Sequence, residues 1–368
     1  MTSAYIISAC RSPVTPRGGA LAHLSLPDLA APILTAALTR AGIAPRQVDE
    51  VICSTALGPG GNPARSIALA AGLPEHVAGL SIDRQCAGGL DALALARQMI
   101  LSGAADIVVA GGAESYSRQP LRYRTFADGH PPEAYTQAPF TPWPARDPDM
   151  TDAAAALGRS QGISRQAQDK WAVESHAKAR AHLPSETELV PLAGSGSDTF
   201  TRRLSSALCR RAKVLSGDIT AANAAVAADA AAFCVVVSDR VAADLTMPKI
   251  ELIATAAKGS RPEEPGLAPL VAIAEVFRQT GLTADDLTLA EIMEAYAVQA
   301  IACVNGAGIA PQIVNIGGGA LARGHPIGAS GAINAVRLWH ELVARGSGTG
   351  LAAIAAAGGI GSAALMRL

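Results

Sequence analysis

Aromatic residues are scarce in this chain: Trp, Tyr and Phe number 3, 5 and 5 among 368 residues, 4% of the whole. So thin a supply, beside abundant Ala and Gly, argues against an all-β architecture and for tightly packed layers of helix on sheet. Charge is sparse as well, at 17%, and it nearly cancels to a net −1. With a pI near 6.7 the chain has no evident basic face, which excludes nucleic acid as a partner. Gly, Pro or charge interrupts every apolar run short of bilayer-spanning length, so no membrane segment is expected. The opening residues to Arg11 lack the charged start and apolar stretch of a signal peptide and read as a first strand. Six cysteines, at 10, 53, 86, 209, 234 and 303, form no C-x-x-C pair, which fits a reducing, cytoplasmic setting. His-Glu-x-x-His, paired-Cys and Gly-x-Ser-x-Gly patterns are missing too, so neither a metal site nor serine-hydrolase chemistry is expected.

What is present is an alternation of short apolar strands and helix-like stretches. Strands are expected at Tyr5–Ala9, Glu50–Ser54, Gly79–Asp83 and Asp106–Ala110, with helices at Asp28–Ala41, Asn62–Ala71 and Gly88–Leu101. That order predicts an α/β layer with a largely parallel sheet. The carboxyl-terminal part repeats the logic, with strands at Lys249–Ala256, Leu289–Glu294, Gln312–Ile316 and Gly350–Ala357 and helices around 268–280 and 332–344. A weak internal repeat accompanies it: Gly88-Gly89 leads through a helix and a strand to Gly111-Gly112, as Ser330-Gly331 leads to Gly358-Gly359. Between the halves, residues 120–149 gather seven prolines with Tyr123, Phe126, Tyr135, Phe140 and Trp143, the composition of an ordered lid or binding wall, or else of an arm for self-association. The division expected is 1–117, an inserted loop domain at 118–217, 218–248, and a second half at 249–368.

Two residues stand out chemically. Cys86 lies where an apolar strand gives way through a glycine pair to a helix, and the positive end of a helix dipole biases a thiol there toward thiolate. A buried cysteine packed as a small hydrophobe is the plainer reading of any one thiol. His325 sits in the glycine-rich run Gly324-His-Pro-Ile-Gly-Ala-Ser-Gly-Ala332, whose glycine spacing does not fit a dinucleotide fingerprint. A Cys/His pair drawn from two related halves is a workable nucleophile and base.

Set in order, these motifs strongly resemble the thiolase superfamily. The matching residues run nearly end to end: Cys10-Arg-Ser-Pro13 with Arg17-Gly-Gly-Ala20, Asn62-Pro-Ala-Arg65, the Cys86 motif, Gly111-Gly-Ala-Glu-Ser115, Ile163–Ala181, Thr220-Ala-Ala-Asn223 with Asp229, Glu294-Ala-Tyr-Ala297, and the His325 run. The resemblance implies a five-layered αβαβα fold of two duplicated halves with an inserted loop domain, dimers or tetramers, and acyl-CoA as substrate, with no covalently bound cofactor. It implies that Cys86 takes the acyl group and that His325 activates it and then helps hold the thioester oxygen. The Cys86 N–H and the amide near Ala357 or Gly358 would form the other oxyanion hole. Arg202 or Arg203 aligns with a CoA-phosphate contact, and Ala225 and Tyr296 align with the pantetheine channel.

Two positions depart from the pattern. The second cysteine of the family, its base for the carbon–carbon step, aligns with Ala355, and the asparagine that holds a water near the oxyanion aligns with Met293. A methyl group takes no proton, and a thioether accepts only weakly. Three readings follow: an acyltransferase that makes or cleaves a β-ketoacyl-CoA with an unorthodox base; a decarboxylative condensing enzyme, hydrolase or transferase using the same Cys86; or a non-catalytic acyl-CoA-binding subunit that supports a partner.

Overall fold

The computed structural model describes residues 3–182 and 184–368. Its centre is a run of nine paired strands: β1 (Ala4–Arg11), β2 (Glu50–Ser54), β3 (Leu80–Ile82), β4 (Ile107–Ser115), β5 (Ala228–Ser238), β6 (Ile250–Gly259), β7 (Leu289–Ile292), β8 (Thr349–Ala356) and β9 (Ile360–Arg367). They stand in the order β7-β8-β9-β6-β1-β5-β4-β2-β3. The first half supplies one end of this run and the second half the other, joined where Tyr5 and Ile6 pair with Glu251 and Ile250.

Helices α1 (Leu26–Ala41) and α2 (Pro63–Ala70) cover the outer face of the first half, and α6 (Ala268–Thr280) and α7 (Ala297–Gly306) flank the second. Between the two halves lie α3 (Gly88–Leu101) and α8 (Ile327–Arg345), packed on each other and on strands of both. The layers therefore run helix, sheet, helix, sheet, helix, as the resemblance implies. Five apolar clusters fill the gaps among the described residues, the largest around α3 and α8.

The α3–α8 contact explains two glycines. A Cβ on Gly89 would lie 2.6 Å from Ala332 N, and one on Gly331 would lie 2.5 Å from Leu90 N. Only bare backbone permits so close a crossing, and the reciprocity is the structural form of the repeat. The other glycines of the repeat differ. Gly111 and Gly112 lie inside β4, whereas Gly358 and Gly359, at φ +76° each, turn β8 back into β9.

The sheet is mixed rather than largely parallel. Only β2–β3, β2–β4 and β7–β8 pair in parallel. The Gly358-Gly359 hairpin and the return of the chain through β5 make the remaining pairings antiparallel. The expected strand at 312–316 is reduced to a 3-10 turn, Pro311–Ile313, and one parallel bridge from Val314 to Ala290, because Asn315 turns left-handed at φ +45°. Its side chain bridges the Ile292 N–H and C=O instead.

Residues 116–227 leave the sheet between β4 and β5. They include a small hairpin (Arg122–Arg124 with Glu133–Tyr135), α4 (Met150–Ser160) and α5 (Arg165–Ala181). Glu294 ties this segment to the second half, accepting from Trp171 Nε1 at 3.0 Å, Ser175 Oγ at 2.7 Å, Asn315 Nδ2 at 2.9 Å and Leu321 N at 3.2 Å. No helix among the described residues is long and apolar enough to cross a membrane.

Candidate active site

Parallel strands β3, β2 and β4 end at one edge of the sheet, the place where α/β folds collect their ligands. The chain leaves β3 and enters a 3-10 turn, Gln85–Ala87, that delivers Cys86 directly ahead of α3. Gln85 is held at φ +50°, a left-handed conformation that costs a residue with a Cβ about 1–3 kcal/mol. Such strain is retained where it aims a neighbour, and here it aims the cysteine. His325 arrives from the other half: its N–H donates to Val226 O at 2.7 Å, and Pro326 then opens α8.

The two side chains meet. His325 Nε2 lies 3.1 Å from Cys86 Sγ, and His325 Nδ1 lies 2.6 Å from Ser330 Oγ. Ser330 donates its only hydroxyl proton to Pro326 O at 2.9 Å, so its oxygen accepts from Nδ1–H. That fixes the tautomer and leaves the Nε2 lone pair facing the thiol. In the sequence Ser330 stands out only as part of the repeat, although it lies in the first helical turn five residues after the histidine.

Behind the pair lies Glu114, fully buried at the end of β4. It accepts from Thr55 Oγ1 (2.8 Å), Ala56 N (3.0 Å), Leu57 N (3.1 Å) and Gly328 N (2.9 Å). These bonds lock the loop after β2 to the start of α8 and so fix the histidine against the cysteine. Glu114 is a second residue that only the fold reveals.

The electrostatics overturn the thiolate expectation. Burial pushes the Cys86 thiol up to about 12, and the charges of Glu114 and Asp83 add to the shift. Burial likewise pulls His325 down to about 4. The helix end is real, but desolvation outweighs it, and the resting pair is thiol and neutral imidazole. Acylation of Cys86 is therefore expected to be flat in rate from about pH 6 to 9 and to fall only as the imidazole protonates near pH 4, below which Nε2 cannot accept the thiol proton. A plateau that begins near pH 7, measured by rapid-quench mass spectrometry, would contradict this.

A cleft of about 340 Å³ opens over the pair. Its walls include Tyr116 at the end of β4, Phe140 and Gln137 from the proline-rich loop, Met150 and Leu157 of α4, and Ala225 and Tyr296. The proline-rich segment thus supplies part of a binding wall, while Tyr123 and Trp143 remain exposed at 56% and 53%. Ala355 and Ala357 also line the cleft with Cys86, and Gly358 does not.

Three further expectations need revision. Met293 does not face the cleft: it follows β7 with its side chain 1% exposed in the main core, so the thioether there is a packing group. Arg202 stacks on Phe200, 4.2 Å from the ring centroid, and donates from its backbone to His176 Nδ1. Neither it nor the exposed Arg203 lines the cleft, because the segment carrying them packs against α5 instead.

Two related α/β halves that meet over a cysteine and a histidine define a class of acyl-transfer proteins. The chain belongs to the thiolase family: the thiolase N-terminal domain model matches residues 4–240 and the thiolase C-terminal domain model residues 246–368. It is 39% identical to a putative acetyl-CoA C-acetyltransferase of Bacillus subtilis, over 100% of this chain and 99% of that one. An acetyl-CoA acetyltransferase of Cupriavidus necator is 37% identical over 99% and 98%. The crystal structure of the Bacillus anthracis acetyl-CoA acetyltransferase superposes with a TM-score of 0.90 at 30% identity, covering 100% and 99%. That of human mitochondrial 3-ketoacyl-CoA thiolase gives 0.91 at 26%, covering 99% and 98%.

Proposed function

We propose that this thiolase-family acyltransferase cleaves and forms β-ketoacyl-CoA through an acyl-Cys86 thioester, with His325 as its only proton carrier. The observation that carries the reading is the Sγ–Nε2 distance of 3.1 Å, with Nδ1 committed to Ser330. Proton bookkeeping shows that a second base is not a stoichiometric need. In the cleavage direction Sγ–H gives its proton to Nε2 as sulfur attacks C3 of a 3-oxoacyl-CoA. The oxyanion on O3 is met by the Cys86 and Ala357 amides. The C2–C3 bond then breaks, its electron pair passes to C2, and the proton on Nε2 follows it, releasing acetyl-CoA and leaving acyl-Cys86. In the second half CoA-SH gives its proton to Nε2, its sulfur attacks the thioester, and Sγ departs and recovers that proton. Histidine ends where it began.

Acyl-CoA as the substrate class and a homodimer or homotetramer in the cytoplasm follow from the family resemblance and from the cysteine usage. The test is intact-mass spectrometry of purified protein after mixing with a panel of acyl-CoA and 3-oxoacyl-CoA thioesters. An acyl increment that maps to Cys86, with free acetyl-CoA released from the 3-oxo substrates, is the expected result. No increment with any thioester, or one at another residue, would sink the reading.

A further inference from the structure

We propose that Asp83 is a positioning residue for the nucleophile: its carboxylate closes a turn over Gln85, holds that residue left-handed, and so keeps the Cys86 thiol facing His325. The inference rests on the acyl-Cys86 reading above and goes beyond it by assigning the group that maintains the strained backbone ahead of the cysteine.

Something must hold that backbone. Between Ile82 at the end of β3 and Gly88 at the start of α3 the chain passes from strand to helix, and Gln85 takes φ +50° on the way. Left alone, a residue with a Cβ returns to the right-handed or extended regions. Asn315, also left-handed, is of a type that tolerates the conformation, whereas a glutamine is not. The turn therefore persists only while its surroundings hold it.

Asp83 supplies the hold. Its Oδ1 accepts from the Gln85 N–H at 2.8 Å, the bond by which an aspartate closes a turn on the residue two further on. The Gln85 Nε2 donates to the same carboxylate, at 3.0 Å from Oδ1 and 3.2 Å from Oδ2, so one group grips both the backbone and the side chain of the strained residue. Among the described residues all the hydrogen bonds of this carboxylate go to Gln85, and the neighbouring Arg84 pairs with Asp91 instead, at 3.2 Å.

The far side of the turn cannot give. The Ala87 N–H donates to Arg84 O at 3.1 Å, and a Cβ on Gly88 would collide with Ser54 Oγ at the end of β2, so the start of α3 is pressed against the sheet. Any relaxation at Gln85 is taken up by Cys86, the residue between, whose sulfur must stay 3.1 Å from His325 Nε2. The charge of Asp83 does not explain its presence, since after burial and Glu114 it adds to the upward shift of the thiol and opposes ionisation.

Three substitutions separate the turn from the charge. Asp83→Asn keeps the oxygen that accepts from the Gln85 N–H and loses the charge. Asp83→Glu keeps the charge and carries it one methylene too far for the turn, and Asp83→Ala loses both. The measurement is single-turnover acetylation of Cys86 over a range of acetyl-CoA concentrations, which yields a saturating rate and a half-saturating concentration. Asp83→Ala and Asp83→Glu should acetylate about 10²-fold slower at saturation, the scale of a misplacement of about 1 Å, with half-saturation nearly unmoved. Asp83→Asn should keep the native rate to within about threefold, as rescue by geometry without charge requires. Asp83→Ala or Asp83→Glu at the native rate, Asp83→Asn as slow as Asp83→Ala, or a loss seen mainly as weaker acetyl-CoA binding overturns the inference while leaving acyl-Cys86 standing. Native protein that acquires no acetyl group at Cys86 overturns both. If Asp83→Ala does not fold, Asp83→Asn against Asp83→Glu carries the test, and equal rates in those two overturn the role.

Discussion

His325→Ala is expected to lower both carbon–carbon cleavage and acyl transfer to CoA by about 10⁴, the upper end of what one positioned acid–base group supplies. The size follows from the single-carrier scheme. The thiol at about 12 is almost wholly protonated at neutral pH, so without Nε2 to take its proton the nucleophile is nearly absent. The same nitrogen then protonates C2 and later accepts from CoA-SH, so its removal touches both half-reactions. Added imidazole, entering the space left by the ring, should restore part of both. Single-turnover rates with acetoacetyl-CoA and with preformed acyl-enzyme plus CoA decide the matter. A variant that loses cleavage but still transfers acyl to CoA at the native rate would show a second proton carrier and end the scheme.

Much of this site was legible in the sequence because its key parts are positional. A cysteine after a strand and a histidine before a helix survive as patterns, and the fold does bring Cys86 and His325 to 3.1 Å. The glycines that allow it, Gly89 and Gly331, were also legible, though only as a repeat and not as a helix crossing. What stayed hidden depends on burial and on pairing across the fold. The thiolate expectation considered the helix dipole but could not see the desolvation or Glu114 behind the thiol. Ser330 sets the tautomer through one hydroxyl proton, a geometric fact with no sequence signature beyond spacing. Met293 misled in the opposite sense, because aligning it with a catalytic asparagine does not tell which way its side chain points. Arg202 and Arg203 fall in a segment whose path is set by contacts with α5, which local composition does not encode.

Ala355→Cys should raise carbon–carbon cleavage and condensation by about 10², the lower bound of a general acid–base contribution, and at least tenfold more than it raises plain thioester exchange. Ala355 lines the cleft beside Cys86 and His325 near the end of β8, so a thiol is placed there at the wall of the site. In the native protein His325 must release its proton to C2 at the moment C2–C3 breaks, then stand ready for CoA-SH, and each task limits the other. A thiol at 355 would take over the exchange with C2 and free the imidazole for sulfur chemistry alone. The advantage should be greatest in condensation, where an α-proton must be removed from acetyl-CoA, and deuterium exchange of the acetyl methyl group in D₂O reads that step directly. Faster exchange would mean that the methyl group at 355 holds back carbanion formation. No gain in either measurement would mean that the limit lies instead in stabilising the enolate oxygen.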